Sequence, residues 1–452
     1  MDMDNDHHMP LSAAEIHAEL ENGTSQEYDL QDTSFMLPTA IDRAGLSRMI
    51  NDLLGLEKHV AFDILFRDEP LRTTLAEKLA QHKVQSETTI KLVYTLAVTE
   101  PEATKVDNLN DWISGISFDG HIGHVVTSCF DGNVALYSAD NLKKVAEFTT
   151  EEGTASAVAM HSSSDMATNV EIVCGHMNGS LEVYSLDITD YQPRPTLVTT
   201  SQSDTDTIVA IAIDPKGTLL ASAGHGKDIL VYDNIEIKQR IKNNEIDIGK
   251  RRKRSIDSDV LEPIVMLTKH TKTVTALKFV ELEVPVLISG SIDGHIALWD
   301  VRLAAPLCIY ACGRAITCLD SSDMCAEIYT GHEEGTIAIW ELRNKWDGEP
   351  PKSSSDVKNS NVARKASTAM FDRAATAIKA NVKHTNLLSA VSLDGTAVLL
   401  DKRFVKIPLQ TVTLKCQCEP DRCTGTCWMS SHELMCTTAT GQLHKIAFRE
   451  LA

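Results

Sequence analysis

From residue 286 to residue 301 the chain reads VLISGSIDGHIALWDV: an apolar run (Val286, Leu287, Ile288), a polar pair Asp293-Gly294, and a second apolar run (Ile296, Ala297, Leu298) ending in Trp299-Asp300. Short apolar runs bounded by turn residues predict buried strands, and Asp-Gly supplies the positive-φ turn that joins two antiparallel strands. The pattern recurs as TSCFDGNVALYS (127–138), VCGHMNGSLEVYS (173–185), SAGHGKDILVYD (222–233), YTGHEEGTIAIWE (329–341), SAVSLDGTAVLLD (389–401) and TTATGQLHKIAF (437–448), which makes seven copies. The turn glycines Gly132, Gly179, Gly294, Gly335, Gly395 and Gly441, with Gly226 in the third place, are spaced by about one repeat of 40 to 47 residues. Two longer gaps mark insertions.

A strand–turn–strand unit ending in Trp-Asp and repeated at this period is similar to the WD repeat. It predicts an all-β, seven-bladed WD-repeat propeller over residues 101–452, because one blade buries its faces only against its neighbours. His270 lies where such repeats place a histidine that joins Ser289, Asp293 and Trp299 in a buried relay. These four read as structural rather than catalytic, since buried polar groups need partners. The last repeat ends near the final residue, so the outermost strand of blade seven is expected from residues 102–110, which would leave no bare sheet edge.

Residues 1–22 carry Asp2, Asp4, Asp6, Glu15, Glu19 and Glu21 without Lys or Arg, and read as a disordered acidic arm. Residues 23–100 read as a small ubiquitin-like α+β domain. EYDL and TSFML form a predicted hairpin, and IDRAGLSRMINDLLG a helix with Leu46, Met49, Ile50, Leu53 and Leu54 on one face. AFDILF and TTIKLVYTLAV are predicted strands, with a short helix at LRTTLAEKL between them. Insertions are expected at 234–262, after blade three, and at 344–368. The first carries Lys250, Arg251, Arg252, Lys253 and Arg254 in succession; a charge run is commonly only a solvated loop, but in an acidic chain this one predicts a nuclear import signal. The second, with Pro350-Pro351 and three consecutive serines from Ser353, reads as a mobile loop.

The net charge of −20 argues against nucleic-acid binding over the whole surface, which needs a basic face, and leaves open a local basic patch with direct RNA contact. No apolar run approaches the roughly 18 residues of a membrane span and no leader pattern is present, so a soluble chain with no membrane partner is expected. Eleven cysteines spread through strand patterns fit reduced, buried thiols. Cys416, Cys418, Cys423 and Cys427 raise a zinc reading, but Cys-x-Cys on an extended segment sends its sulfurs to opposite faces, and loop and core thiols are the simpler reading. There is no phosphate-binding Walker loop, no Gly-x-Ser-x-Gly and no His-Glu-x-x-His; the expectation is a non-enzymatic protein without cofactors.

LSRMINDLLG, VAFDILF, EPLRTTLAEKL and SETTIKLVY resemble the N-terminal NLE domain of the ribosome-biogenesis WD-repeat proteins of the PeBoW complex. The likeness continues through Asp111-Trp112-Ile113-Ser114 and through the basic insertion followed by EPIVMLTKH, so it spans nearly the whole chain. The resemblance implies a nuclear factor of nucleolus and nucleoplasm acting in pre-rRNA maturation on the pre-60S particle. Its propeller would dock on the block-of-proliferation propeller protein, which also holds pescadillo, and its NLE domain would be gripped by the AAA-type ATPase midasin. It further implies that an acidic residue before the last strand of that domain, here Glu87 in QSETTIKL, completes the metal coordination of midasin's MIDAS domain. Repeats two, three, six and seven lack the Trp-Asp ending. Two other readings stay open: a notchless-type factor sharing the NLE domain, and a propeller substrate receptor of a ubiquitin ligase, suggested by a ubiquitin-like unit beside a propeller.

Overall fold

The computed structural model describes residues 15–448 apart from 24–27, 56–59, 61, 68, 72, 83–88, 97–100, 163–168, 190–194, 203–205, 236–260, 282–284, 323–326, 343–361, 404, 407 and 417–418. Its contacts divide the chain into a unit ending at Glu100 and a unit running from Pro101 to Phe448.

The first unit is built on β1 (Glu15–Asn22), β2 (Ser34–Pro38), α1 (Arg43–Leu54), β3 (Phe62–Phe66), β4 (Glu69–Pro70), α2 (Leu75–Gln81) and β5 (Ile90–Leu96). The sheet order is β2-β1-β5-β3-β4, with β1 parallel to β5 and the other pairs antiparallel, the arrangement of ubiquitin-like folds. This corrects the acidic-arm reading for residues 15–22. Their carboxylates alternate with Ile16, Ala18 and Leu20, which are buried, so EIHAELEN is a half-buried strand whose outward face carries the charge. The hairpin is therefore β1 with β2, and EYDL is not one of its strands. Residues 1–14 lie outside the described residues.

Helix α1 starts at Asp42, whose side chain accepts from the Gly45 N–H at 2.8 Å, and stops at Gly55 in the left-handed conformation. Leu46 and Ile50 enter the core while Leu53, expected inside, is exposed. Ser47 and Asn51 take the inward positions. Ser47 Oγ accepts from the Phe62 N–H at 2.9 Å and Asn51 exchanges hydrogen bonds with Val60, so the helix is latched to the start of β3.

The second unit holds seven four-stranded antiparallel sheets. Their inner strands are Ile113–Asp119, Ala155–Ser162, Ile208–Ile213, Val274–Glu281, Ile316–Ser321, Ala375–Ala380 and Cys423–Trp428. Each packs on the next and the seventh packs on the first, which closes a seven-bladed propeller. The outer strand of blade seven is β6 (Glu102–Asn108), paired with Gln442–Ala447.

Every inner strand bulges at its second residue, Ser114, Ser156, Val209, Thr275, Thr317, Thr376 or Thr424. A bulge removes a residue from its ladder and re-aims its side chain. In blades two, four, five and six the hydroxyl crosses to the next blade. Ser156, Thr275, Thr317 and Thr376 donate to the carbonyls of Ile208, Ile316, Ala375 and Cys423 at 2.6, 2.8, 2.6 and 2.9 Å. Such a bond contributes about 1 kcal/mol net, so the set stitches neighbours that share no backbone ladder.

Two further expectations change. The left-handed residue of the blade-three turn is Lys227 (φ 68), where the six other blades use the turn glycines at φ 73 to 85; Gly226 is one position too early. The first insertion falls inside blade three rather than after it. Its outer strand, Val265–Leu267, follows the gap. Likewise Val362–Ala369, all but its last residue within the 344–368 expected as the second insertion, is the outer strand of blade five.

Candidate functional site

In blade four the four relay residues come together from two strands, the turn between them and the entering loop. His270 sits in the loop entering the blade, Ser289 on the second strand, Asp293 in the turn and Trp299 on the third strand. Trp299 Nε1 donates to Ser289 Oγ at 2.8 Å, His270 Nε2 lies 2.7 Å from the same oxygen, and His270 Nδ1 lies 3.0 Å from Asp293 Oδ2. An ionised carboxylate only accepts, so Nδ1 carries the proton and Nε2 accepts from the serine hydroxyl. Asp293 also takes the N–H groups of Thr271 and His295, each at 2.9 Å. Burial pushes its carboxyl up, but donation from Thr271 and attraction to His270 outweigh this and hold it below the usual range; burial likewise holds His270 below an ordinary imidazole.

Blades two and five use a different arrangement that the repeat pattern did not reveal. Their histidines, His176 and His332, stand on the second strand three residues before the turn glycine. In blade five Trp340 Nε1 donates to Thr330 Oγ1 at 2.8 Å, His332 Nε2 is 3.0 Å from that hydroxyl, and Nδ1 donates to the Ala315 carbonyl at 3.2 Å. In blade two His176 Nε2 meets Glu182 Oε2 at 3.1 Å, Tyr184 donates to the same oxygen at 2.7 Å, and the Glu152 N–H reaches Oε1 at 3.1 Å. The shared Gly-His-x-x-Gly spacing was the available signal.

These buried groups set a pH dependence. Burial holds His270, His332 and His444 below the ordinary imidazole value. The unfolded chain then binds more protons than the folded one below about pH 6.5, so stability falls as pH drops through that window, by up to about 1.4 kcal/mol per pH unit for each histidine. Titration toward the isoelectric point relieves self-repulsion and acts oppositely, so a variant isolates the effect. The melting temperature of the wild type between pH 7.5 and pH 5.5 should fall more than that of His332→Gln; parallel curves would refute the assignment.

The remaining candidates separate. Glu87 and the run Lys250, Arg251, Arg252, Lys253, Arg254 lie outside the described residues. The flanks of Glu87 are fixed: His82 Nε2 and Lys78 Nζ meet Glu69 at 3.3 and 2.5 Å at the end of α2, and Ile90 is buried at the start of β5. Cys416 accepts from Gln442 Nε2 at 3.1 Å, and Cys418 lies outside the described residues. Cys423 and Cys427 are buried on the inner strand of blade seven, with burial pushing both thiols up. Among the described residues no group of three or more His, Cys, Asp or Glu is placed to hold a metal ion.

The ubiquitin-like unit and the seven blades, two of them with Trp–Ser/Thr–His cores, define the class: a WD-repeat propeller with an NLE domain in front. The NLE (NUC135) domain model matches residues 16–79, and the WD domain, G-beta repeat model matches 194–233 and 261–300. The WD matches each begin one strand early. A sequence repeat takes in the outer strand of one blade and the three inner strands of the next. Among curated proteins, the chain is 25% identical over 329 residues to the ribosome biogenesis protein WDR12 homolog of Chlamydomonas reinhardtii, covering 70% of this chain and 73% of that one. It is 25% identical over 397 residues to the ribosome biogenesis protein YTM1 of Saccharomyces cerevisiae, covering 70% and 84%. It is 22% identical over 353 residues to the WDR12 homolog of Arabidopsis thaliana, covering 74% and 78%.

Proposed function

We propose that this protein is a non-enzymatic assembly factor of the large ribosomal subunit, acting in pre-rRNA maturation in the nucleolus and nucleoplasm. The observation that carries the reading is the order of its parts. An NLE domain followed by WD repeats matches relatives named ribosome biogenesis proteins across about 70% of the chain. In this reading the propeller docks in a PeBoW-type complex with the block-of-proliferation protein and pescadillo, since a large rigid ring suits stable docking. The NLE domain is the handle by which midasin releases the factor from the pre-60S particle. Affinity purification of the tagged full chain tests it. Pescadillo, the block-of-proliferation protein and large-subunit precursor RNA are the expected company; recovery of cullin adaptors without precursor RNA overturns the reading.

The basic run is the import signal in this account. In sequence it falls between the third and outer strands of blade three, outside the strands that build the core of that blade. Replacing Lys250, Arg251, Arg252, Lys253 and Arg254 by alanine should leave the melting temperature unchanged while the protein accumulates in the cytoplasm. Unchanged nucleolar staining of that variant counts against the assignment.

A further inference from the structure

One rim of the propeller, where the loops entering each blade meet the turns between second and third strands, carries an acidic stretch on blades one to three. Two residues before the inner strand, blades one and three present Asp111 and Asp206, whereas blades four, five and six present Lys272, Arg314 and Arg373, all exposed; on these last blades the bases are mixed with exposed Glu333, Glu334 and Asp372, and Arg314 pairs with Glu334 at 3.1 Å.

The acidic sector is continuous. The Phe130 N–H donates to the Trp112 carbonyl at 3.1 Å, and the Thr150 N–H to the Gly132 carbonyl at 2.9 Å. A Cβ on Gly132 would stand 2.2 Å from the Gly153 carbonyl oxygen, so the next loop lies directly on this turn. Glu152 Oε2 then accepts from Asn178 Nδ2 at 2.8 Å, and Thr207 Oγ1 donates to the Met177 carbonyl at 2.9 Å. Along this path Asp111, Asp131, Glu151, Glu152 and Asp206 are exposed, and among the described residues of the loops and turns on this rim of blades one to three the one Lys or Arg is Lys227, in the blade-three turn. Within it Trp112 is 45% and Met177 49% exposed.

An indole held open to water amid carboxylates matches one ligand chemistry above others. A guanidinium stacks on the ring face while pairing with a neighbouring carboxylate, and aliphatic neighbours cover the rest of the apolar surface. Phosphate backbones are repelled there. We propose that the rim of blades one to three is a docking site for an extended, arginine-bearing segment of a protein partner, with Trp112 as its anchor and Asp131 and Glu152 as its charge partners. The inference is independent of the ribosome-assembly reading and can fail or stand without it.

The test uses the full chain and a fluorescein-labelled peptide alternating arginine and leucine, with a glutamate–leucine peptide as comparison, read by anisotropy. Only the arginine peptide should bind. Trp112→Ala, and separately the pair Asp131→Lys with Glu152→Lys, should weaken it about tenfold or more, as expected for a buried aromatic anchor and its ion pairs. Trp112→Phe should retain most of the binding. Asp140→Lys, an exposed charge reversal on the third-to-outer-strand turn of blade one, at the other end of the blade, should change nothing. Equal melting temperatures establish that the variants fold. Binding unaffected by the rim variants, or weakened equally by Asp140→Lys, overturns the proposal. So does sedimentation showing self-association that Trp112→Ala abolishes, which would make a second copy the occupant.

Discussion

A chain of residues 110–452 will fail to melt cooperatively and will aggregate, while one of residues 101–452 will unfold in a single transition. The difference is β6. Its pairing with Gln442–Ala447 runs from Asn108 opposite Gln442 to Glu102 opposite Ala447, and Leu109 is buried with Ile113, Tyr137 and Leu443. Asp107 also joins blade seven to blade one, accepting from Tyr137 Oη at 2.8 Å and meeting Lys144 Nζ at 3.1 Å. Burial pushes the Asp107 carboxyl up, yet the hydrogen bond from Tyr137 and the Lys144 ammonium hold it below the usual range. Removing the strand bares an edge, strips Leu109 from the core and opens the ring where its two ends meet. Against a total stability of about 5–15 kcal/mol this loss is large. Asp107→Ala in the full chain should cost only about 1–3 kcal/mol, because the ladder survives. A cooperative melt of the 110–452 fragment within a few degrees of the longer one would show that closure does not depend on β6.

Glu87→Ala and Glu87→Asp are both expected to abolish Mg2+-dependent binding to midasin while leaving propeller docking intact and holding the protein on precursor particles. A MIDAS-type site holds a hard cation with oxygen ligands, and Mg2+ demands near-octahedral geometry at about 2.1 Å. A carboxylate supplied in trans completes that shell, and the metal makes the contact worth far more than an exposed ion pair of about 0–1 kcal/mol. Aspartate falls one methylene short. The flanks suit the role, since a ligand reaching a small metal shell needs a rigid base: α2 is pinned through Glu69, and β5 is the central strand of its sheet. Wild-type binding by Glu87→Ala, or equal binding in EDTA, would sink this proposal.

The sequence alone determined the blade number, the closing strand and the blade-four relay. Each rests on a short-range pattern: apolar runs either side of a turn residue, a count of such turns, and a His, Ser, Asp and Trp at fixed offsets. The order α1, β3, α2, β5 was legible for the same reason, because helical and strand periods differ within a few residues, while the two-residue β4 was too short to show a period. Tertiary structure decided the rest. EIHAELEN looked like a solvated acidic arm because its charges dominate composition; only pairing with β2 and β5 buries its alternate residues. Leu53 yielded the inward face to Ser47 and Asn51 because those side chains satisfy backbone groups at the start of β3, a need no helical periodicity encodes. The hydroxyls that cross from blade to blade and the acidic stretch of the rim join residues about a full repeat apart. Their meaning depends on which blades stand side by side, and ring closure is what fixes that.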